Sequence, residues 1–251
     1  MKKLSLDSMK LKEAIDVRRS RRKYLTTPID NAIKEKLNSL AQEYSLKGNI
    51  RIEFVWDDGS AFNGLRKSYG MFSGVQNYAG LIADKNDFEA IERLGYYGEL
   101  LMLQAVSMGL GTCWVGGSFD RKLCPFTLSD DEMIICTIVV GNALEKDGLR
   151  ERFIHSLTHR KTKTIEEMIV IDKSAPDWFM KGMQAVQQAP SSMNQQPVQF
   201  SLKNDQVTAS IDDMSNVGSV LDLGIAKLHF ELGASCGTWG FGNNAAFNIA
   251  K

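Results

Sequence analysis

Helical spacing of apolar residues predicts five helices in this chain. The helix predicted over residues 87–108 is apolar nearly all round, which indicates a central helix covered by other elements. The remaining helices are predicted over 8–17, from an Asp30 cap to about Tyr44, over 177–189 and over 217–233.

Short apolar or alternating runs between these helices predict strands. The most strand-like run is 133–141, and further strands are predicted over 50–56, 78–83 and 112–115. Near the C-terminal end, 198–202 and 206–211 are separated by Asn204-Asp205, which predicts a β-hairpin.

The pattern of predicted helices and strands occurs twice along the chain. Residues 98–114 parallel residues 224–239, with glycines at an offset of 126 (224 − 98). Upstream, 37–54 parallels 183–200 at an offset of 146 (183 − 37), because the first copy holds a longer loop. If the two copies pack about a pseudo-two-fold axis, two half-sites would make one site.

Composition excludes several classes of protein. The 251 residues carry 30 basic and 30 acidic side chains, which argues against a general nucleic-acid binder. Four cysteines without CxxC spacing and only three histidines predict no metal site. No apolar run follows Met1 or approaches the ~18 residues of a membrane span, so we expect a cytoplasmic protein without a membrane partner.

Two polar segments carry candidate binding chemistry. Residues 190–197 (PSSMNQQP) form a rigid polar turn that can present hydroxyls, an amide and backbone N–H groups to a planar polar ligand. Their composition also suits a plain connection between a helix and a strand. Residues 18–24 (RRSRRKY) are basic and follow a predicted helix, whose dipole favours cations at that end.

Residues 109–117 (GLGTCWVGG) are rich in glycine but do not form a dinucleotide-binding fingerprint. The glycines of such a fingerprint follow a strand and open a helix, whereas the glycines of 109–117 end a helix.

These segments together resemble the FMN-dependent nitroreductase superfamily. The likeness rests on 18–24, 109–117, a basic segment at 160–163 (RKTK) and 190–197. In that family the first and last motifs come from different subunits of a homodimer, with FMN between them. In an ordinary member the Pro-Ser-Ser motif comes early, soon after the Arg motif, whereas here it appears near residue 190. That departure fits the repeat, so the chain resembles the tandem single-chain pseudo-dimers of the superfamily, the Thermotoga-type nitroreductases.

The resemblance implies an α+β, nitroreductase-like fold with helix-flanked mixed or antiparallel sheets and two pseudo-symmetric halves. Residues 1–168 would form the half with the Arg-Arg-Ser motif, and 169–251 a truncated half with the Pro-Ser-Ser-x-Asn motif. Together they would form one FMN-binding unit. Since the dimer interface is then internal, a monomer is expected.

The resemblance also assigns binding roles. It puts Arg18, Ser20 and Arg22 on the FMN phosphate and Arg19 on phosphate or flavin. Further phosphate contacts would come from Arg160 and Lys163, for which a solvated charged loop is an equal alternative. The remaining contacts to the flavin would come from Pro190, Ser191, Ser192, Asn194, Gly116 and Gly117, although the two glycines also suit a β-turn.

The implied activity is ping-pong hydride transfer from NADH or NADPH, through FMN, to a small electron-poor acceptor such as a nitroaromatic or a quinone. No catalytic side chain is expected, because the flavin carries out the chemistry. One alternative is a flavin-binding protein without turnover, for storage or sensing. Another is a structural protein whose flavin site has decayed.

Overall fold

Two long helices pack against each other, and each also packs on its own β-sheet. The computed structural model describes residues 6–63, 71–143, 161–172 and 174–250. Helices and strands alternate in mixed order, which confirms the predicted α+β class.

The predicted helices all form, and polar caps define where several of them begin. The Asp30 carboxylate accepts from the Ala32 amide, and the Asp87 carboxylate from the Ala90 amide. The helix predicted to end near Tyr44 continues to Gly48, and Asn49 ends it in a left-handed conformation. The helices are α1 Leu6–Val17, α2 Asn31–Gly48, α3 Phe88–Ser107, α4 Ile165–Met168, α5 Asp177–Val186 and α6 Val217–Ala234.

The first sheet is antiparallel throughout and has the strand order β1-β2-β4-β3. Its second strand is buried almost from end to end, as expected for a strand covered on both faces. The strands are β1 Arg51–Val55, β2 Asn77–Asp84, β3 Gly111–Val115 and β4 Glu132–Gly141.

The second sheet has the order β5-β6-β7-β9-β8, with β5 parallel to β6 and the other pairs antiparallel. The predicted hairpin joins β6 and β7, and Asn204 and Asp205 turn it with φ angles of 50° and 64°. The strands are β5 Ile169–Ile171, β6 Gln199–Lys203, β7 Gln206–Ser210, β8 Gly237–Trp239 and β9 Ala246–Ile249.

The same order of elements occurs twice. The first run is α2-β1-β2-α3-β3-β4 and the second is α5-β6-β7-α6-β8-β9. The strand orders β1-β2-β4-β3 and β6-β7-β9-β8 also correspond. Strand β5 begins at Ile169, and the internal repeat and the division into halves at 1–168 and 169–251 stay predictions.

Helices α3 and α6 cross in backbone contact because glycines lie at the crossing. A Cβ atom added at Gly95 would lie 2.0 Å from the Leu221 carbonyl oxygen. One added at Gly224 would lie 1.9 Å from the Glu92 carbonyl oxygen. Any side chain at either position would therefore push the two helices apart.

Buried ionisable groups also join α3 to α6. The Lys227 ammonium lies 2.5 Å from the Glu92 carboxylate, and both side chains are fully buried. The His229 ring lies 3.0 Å from Glu99, which also accepts from the Trp114 indole at 2.7 Å. Removing one partner of such a pair is strongly destabilising, because the other charge then stays buried without compensation.

Within the described residues, no helix has both the length and the apolar character needed to cross a membrane.

Candidate functional site

The basic segment that follows α1 runs along the edge of the first sheet. Ser20 forms a parallel bridge with Thr112 of β3, and the Arg21 amide donates to the Thr112 carbonyl oxygen at 2.8 Å. Tyr24 forms a further bridge with Ala143. Because successive side chains alternate along extended backbone, Arg18, Ser20 and Arg22 are expected on one side.

Two guanidinium groups converge on Ser20. Arg18 Nη1 lies 3.5 Å from the Ser20 hydroxyl, and Arg22 Nη1 donates to the Ser20 carbonyl oxygen at 3.3 Å. The Arg18 Nε atom and the Thr112 hydroxyl are buried without a hydrogen-bond partner. Buried donors rarely remain unpaired, and guanidinium groups bind phosphate oxygens well. The cluster therefore fits a small anion such as a phosphate group.

Arg19 lies elsewhere in the same segment. Its Nη1 donates to the carbonyl oxygens of Asp16 at 3.2 Å and Arg18 at 2.8 Å, so its guanidinium sits at the C-terminal end of α1. Positive charge is favoured there by the helix dipole. The predicted role of Arg19 in cofactor binding stays a prediction.

The turn after α5 (190–197) holds an unusual backbone. Met193, Asn194 and Gln196 adopt left-handed conformations with φ of 49°, 53° and 50°. Such conformations cost on the order of 1 kcal/mol or more each for residues other than glycine, and they persist only where the surroundings hold them. The Ser191 hydroxyl accepts from the Gln196 amide at 3.0 Å and closes the turn.

A residue that the sequence analysis missed holds this turn to α6. Both oxygens of Asp222 accept from the Ser192 amide, at 3.1 and 3.0 Å. Burial raises the pKa of Asp222 to about 7. The available signal was a single acidic residue in the otherwise apolar first turns of a predicted helix.

The structure brings together the segments that precede the two predicted half-sites, at a seam between α1 and α5. The Gln188 amide nitrogen donates to the Asp16 carboxylate at 3.1 Å. Asp16 directly precedes the end of α1 and the basic segment, and Gln188 closely precedes Pro190. Leu11, Ala14 and Ile15 of α1 join a buried apolar cluster with Ala185 of α5, which fixes the seam.

Lys163 is attached to the same turn. Its ammonium donates to the Gln196 carbonyl oxygen at 2.9 Å, and its backbone amide donates to the Gln196 side chain at 2.9 Å. The Gln187 side chain donates to the Lys163 carbonyl oxygen. Arg160, the other predicted basic contact, lies outside the described residues.

The glycine pair after β3 is exposed, and the protein itself does not require glycine there. A Cβ atom at Gly116 or Gly117 would meet no atom within 4 Å, and neither residue has a positive φ. The Gly116 carbonyl oxygen accepts from Arg121 Nη2 at 2.8 Å. Close approach of a ligand would explain the absence of side chains at this loop.

A family model and several solved structures of nitroreductases are similar to this chain. The family model described as "Putative TM nitroreductase" matches residues 10–234. No curated protein shows significant sequence similarity to this chain.

Among solved structures, a "putative nitroreductase" from Thermotoga maritima is 18% identical and covers 99% of this chain and 96% of its own, with a TM-score of 0.62. This likeness confirms the predicted nitroreductase-like fold. A nitroreductase family protein of Clostridium difficile (19% identity, TM-score 0.45) covers 68% of this chain and 100% of its own. An FMN-dependent nitroreductase of the same organism (18%, 0.42) covers 59% and 97%.

Proposed function

Because this chain belongs to the TM nitroreductase family, we propose that it is an NAD(P)H-dependent oxidoreductase that binds FMN at the seam between α1 and α5. The observation that carries the proposal is the hydrogen bond between Asp16 and Gln188. It joins Asp16, which precedes the basic segment, to Gln188, which precedes the Pro-Ser-Ser turn, and so supports a site between these two segments.

The residues at the seam fit FMN. Its phosphate carries a charge of about −1.5 to −2, comparable with a phosphorylated side chain. Arg18, Ser20 and Arg22 would hold this group, and the unpaired Arg18 Nε supplies a donor that the protein itself leaves unused. Lys163 would add positive charge from the other side of the seam, and Arg160 is the further predicted phosphate contact.

The flavin ring would lie between the turn and the glycine loop. Pro190, Ser191, Ser192 and Asn194 would present hydroxyl, amide and backbone groups to its polar edge. Gly116 and Gly117 would let backbone N–H groups come close to the ring, because no side chain intervenes. When bound, FMN would supply hydride transfer from NADH or NADPH to a small electron-poor acceptor, such as a nitroaromatic or quinone, in a ping-pong sequence.

We further propose that the chain acts as a monomeric pseudo-dimer, with its halves at 1–168 and 169–251. The repeated order of helices and strands supports this proposal. Light scattering is expected to give the mass of one chain, and a stable dimer would contradict the proposal.

We expect the purified protein to bind one FMN per chain, because each copy carries only one half of the motif set. The checks are the visible absorption spectrum, the flavin released per chain and bleaching by NADH or NADPH. Turnover would then be followed as NAD(P)H oxidation with a nitroaromatic or a quinone. Two flavins per chain would contradict the half-site argument. FMN binding without turnover on any acceptor would identify a flavin-binding protein instead of an enzyme.

Replacing Arg18 with alanine is expected to weaken FMN binding by about 10- to 100-fold, the usual effect of losing a hydrogen bond to a charged group. The affinity for riboflavin, which lacks the phosphate, should change little. Fluorescence titration of both flavins measures the difference. Lys47→Ala, which removes an exposed cation paired with Glu43, is the control. Equal losses for FMN and riboflavin would show that Arg18 does not contact the phosphate.

A further inference from the structure

Among the residues that the structure describes, Asp222 is a buried carboxylate without a cation partner. Its side chain lies on α6, with the residue only 4% exposed. The Ser192 amide is its hydrogen-bond donor, shared between both carboxylate oxygens. The Lys163 ammonium donates to the Gln196 carbonyl oxygen, and no described cation lies within ion-pair distance of Asp222.

The surroundings of Asp222 are mainly apolar. A small cavity beside it is lined by Met168, Val186, Val198 and Ala226. From the first sheet, the thiol of Cys136 faces it, and burial raises the pKa of that thiol to about 12, so it stays neutral. Gln196 and Ser191, the polar side chains nearest the cavity, do not titrate. Asp222 is thus the one group of this pocket, among the described residues, whose charge changes near neutral pH.

An ionised carboxylate in this position works against folding. Desolvation raises its pKa to about 7, well above the value of 3.8 in the unfolded chain. A folded state with a raised carboxyl pKa binds more protons than the unfolded state, so this group lowers stability as pH rises from about 4 to about 7. Within the described part of the chain no ion pair offsets that loss, so ionisation of Asp222 lowers the stability of the folded protein.

We propose that Asp222 is a positioning residue, whose carboxylate fixes the Ser192 amide and thereby holds the Pro-Ser-Ser turn in its binding conformation. This inference rests on the proposed FMN site. The turn needs such a hold because three residues after Ser192 keep left-handed backbone conformations. Asp222 reaches it from α6, a rigid element with a buried N-terminal half.

The strength of the hydrogen bond from the Ser192 amide depends on whether the Asp222 carboxyl is ionised. A hydrogen bond to an ionised acceptor is about twice as strong as one to a neutral acceptor. When Asp222 takes up a proton, the Ser192 amide keeps only a neutral acceptor and the turn is held less firmly. The affinity for FMN should therefore rise as pH increases through the range in which Asp222 loses its proton.

The test compares wild type with Asp222→Asn, which keeps the shape and one acceptor oxygen but stays neutral. At pH 8 we expect the variant to bind FMN about fivefold more weakly than wild type. At pH 6 the two affinities should converge, because wild-type Asp222 is then largely protonated. The FMN phosphate also titrates near pH 6, but it contributes equally to both proteins. Identical pH profiles in the two proteins would overturn the inference.

A second measurement needs no variant. The Ser192 amide resonance in ¹⁵N-labelled wild type, without FMN, should shift with pH and show a midpoint near that of Asp222. The Ala189 amide, which donates to the Val186 carbonyl oxygen, serves as the reference. A Ser192 amide that does not titrate would overturn the inference. Wild type that binds no FMN at any pH would overturn the proposed function, and the Ser192 titration then tests the hold on the turn by itself.

Discussion

Replacing Gly224 with alanine is expected to destabilise the protein by roughly 3–5 kcal/mol, at the upper end of effects for single substitutions. The added Cβ would lie 1.9 Å from the Glu92 carbonyl oxygen and 2.7 Å from the Tyr96 amide nitrogen. Both neighbours are backbone atoms of α3, so no side-chain rotation relieves the overlap. The helices would have to separate, and the core between them would lose packing on both sides.

Urea unfolding gives the free energy of unfolding, and calorimetry gives the Tm, which should fall by roughly 10 °C for a loss of this size. The matched control is Gly117→Ala, because a Cβ there meets nothing within 4 Å. Its stability should stay within about 0.5 kcal/mol of wild type. A Gly224→Ala protein as stable as this control would show that α3 and α6 do not cross in backbone contact.

Lys227→Met should cost about 3–5 kcal/mol at neutral pH, because it leaves the Glu92 carboxylate buried without its cation. The ammonium also donates to the Gly240 and Gly242 carbonyl oxygens, so these two acceptors lose a donor as well. Burial lowers the pKa of Lys227, and the charge of Glu92 offsets part of this effect. The attraction between Lys227 and Glu92 and the hydrogen bonds from the ammonium to the two carbonyl oxygens therefore stabilise the charged pair.

The pH dependence distinguishes this explanation from a simple packing defect. In Lys227→Met, the folded state would bury the charged Glu92 carboxylate without its cation, so the loss of stability should be larger at a pH at which carboxylates are ionised. Urea unfolding should then show a larger deficit at pH 8 than at pH 5. The double variant Glu92→Gln/Lys227→Met removes both charges and should recover much of the loss. A deficit that is independent of pH and unchanged in the double variant would contradict the expectation.

Periodicity predicted the five longer helices and most of the strands correctly, because each long element carries its own apolar pattern. It did not predict α4, β5, β8 or β9, which have three or four residues each and too little pattern to recognise. Strand β5 forms because Ile169 to Ile171 pair with β6, and that pairing is a tertiary event. The segments that follow α3 and α6 could be matched in the sequence, because they share glycine and tryptophan positions.

Less of the candidate site than of the fold could be predicted from the sequence. The basic segment and the Pro-Ser-Ser turn were recognised by resemblance, and local sequence could not show that Asp16 meets Gln188. Asp222 escaped notice because it is the one acidic residue in the first turns of α6 and has no local partner. Its role depends on Ser192, 30 residues away, which only folding brings within reach. The guanidinium of Arg19 lies at the end of α1 in the structure, and its predicted role in cofactor binding stays a prediction.

The crossing of α3 and α6 also determines how the protein responds to dilution. Both helices belong to one polypeptide, so their contact is intramolecular and does not depend on the protein concentration. The same contact between two separate chains would dissociate once the protein concentration fell below its Kd. In this chain the seam between α1 and α5 therefore stays assembled at nanomolar concentration, and its integrity is independent of how much protein the cell makes.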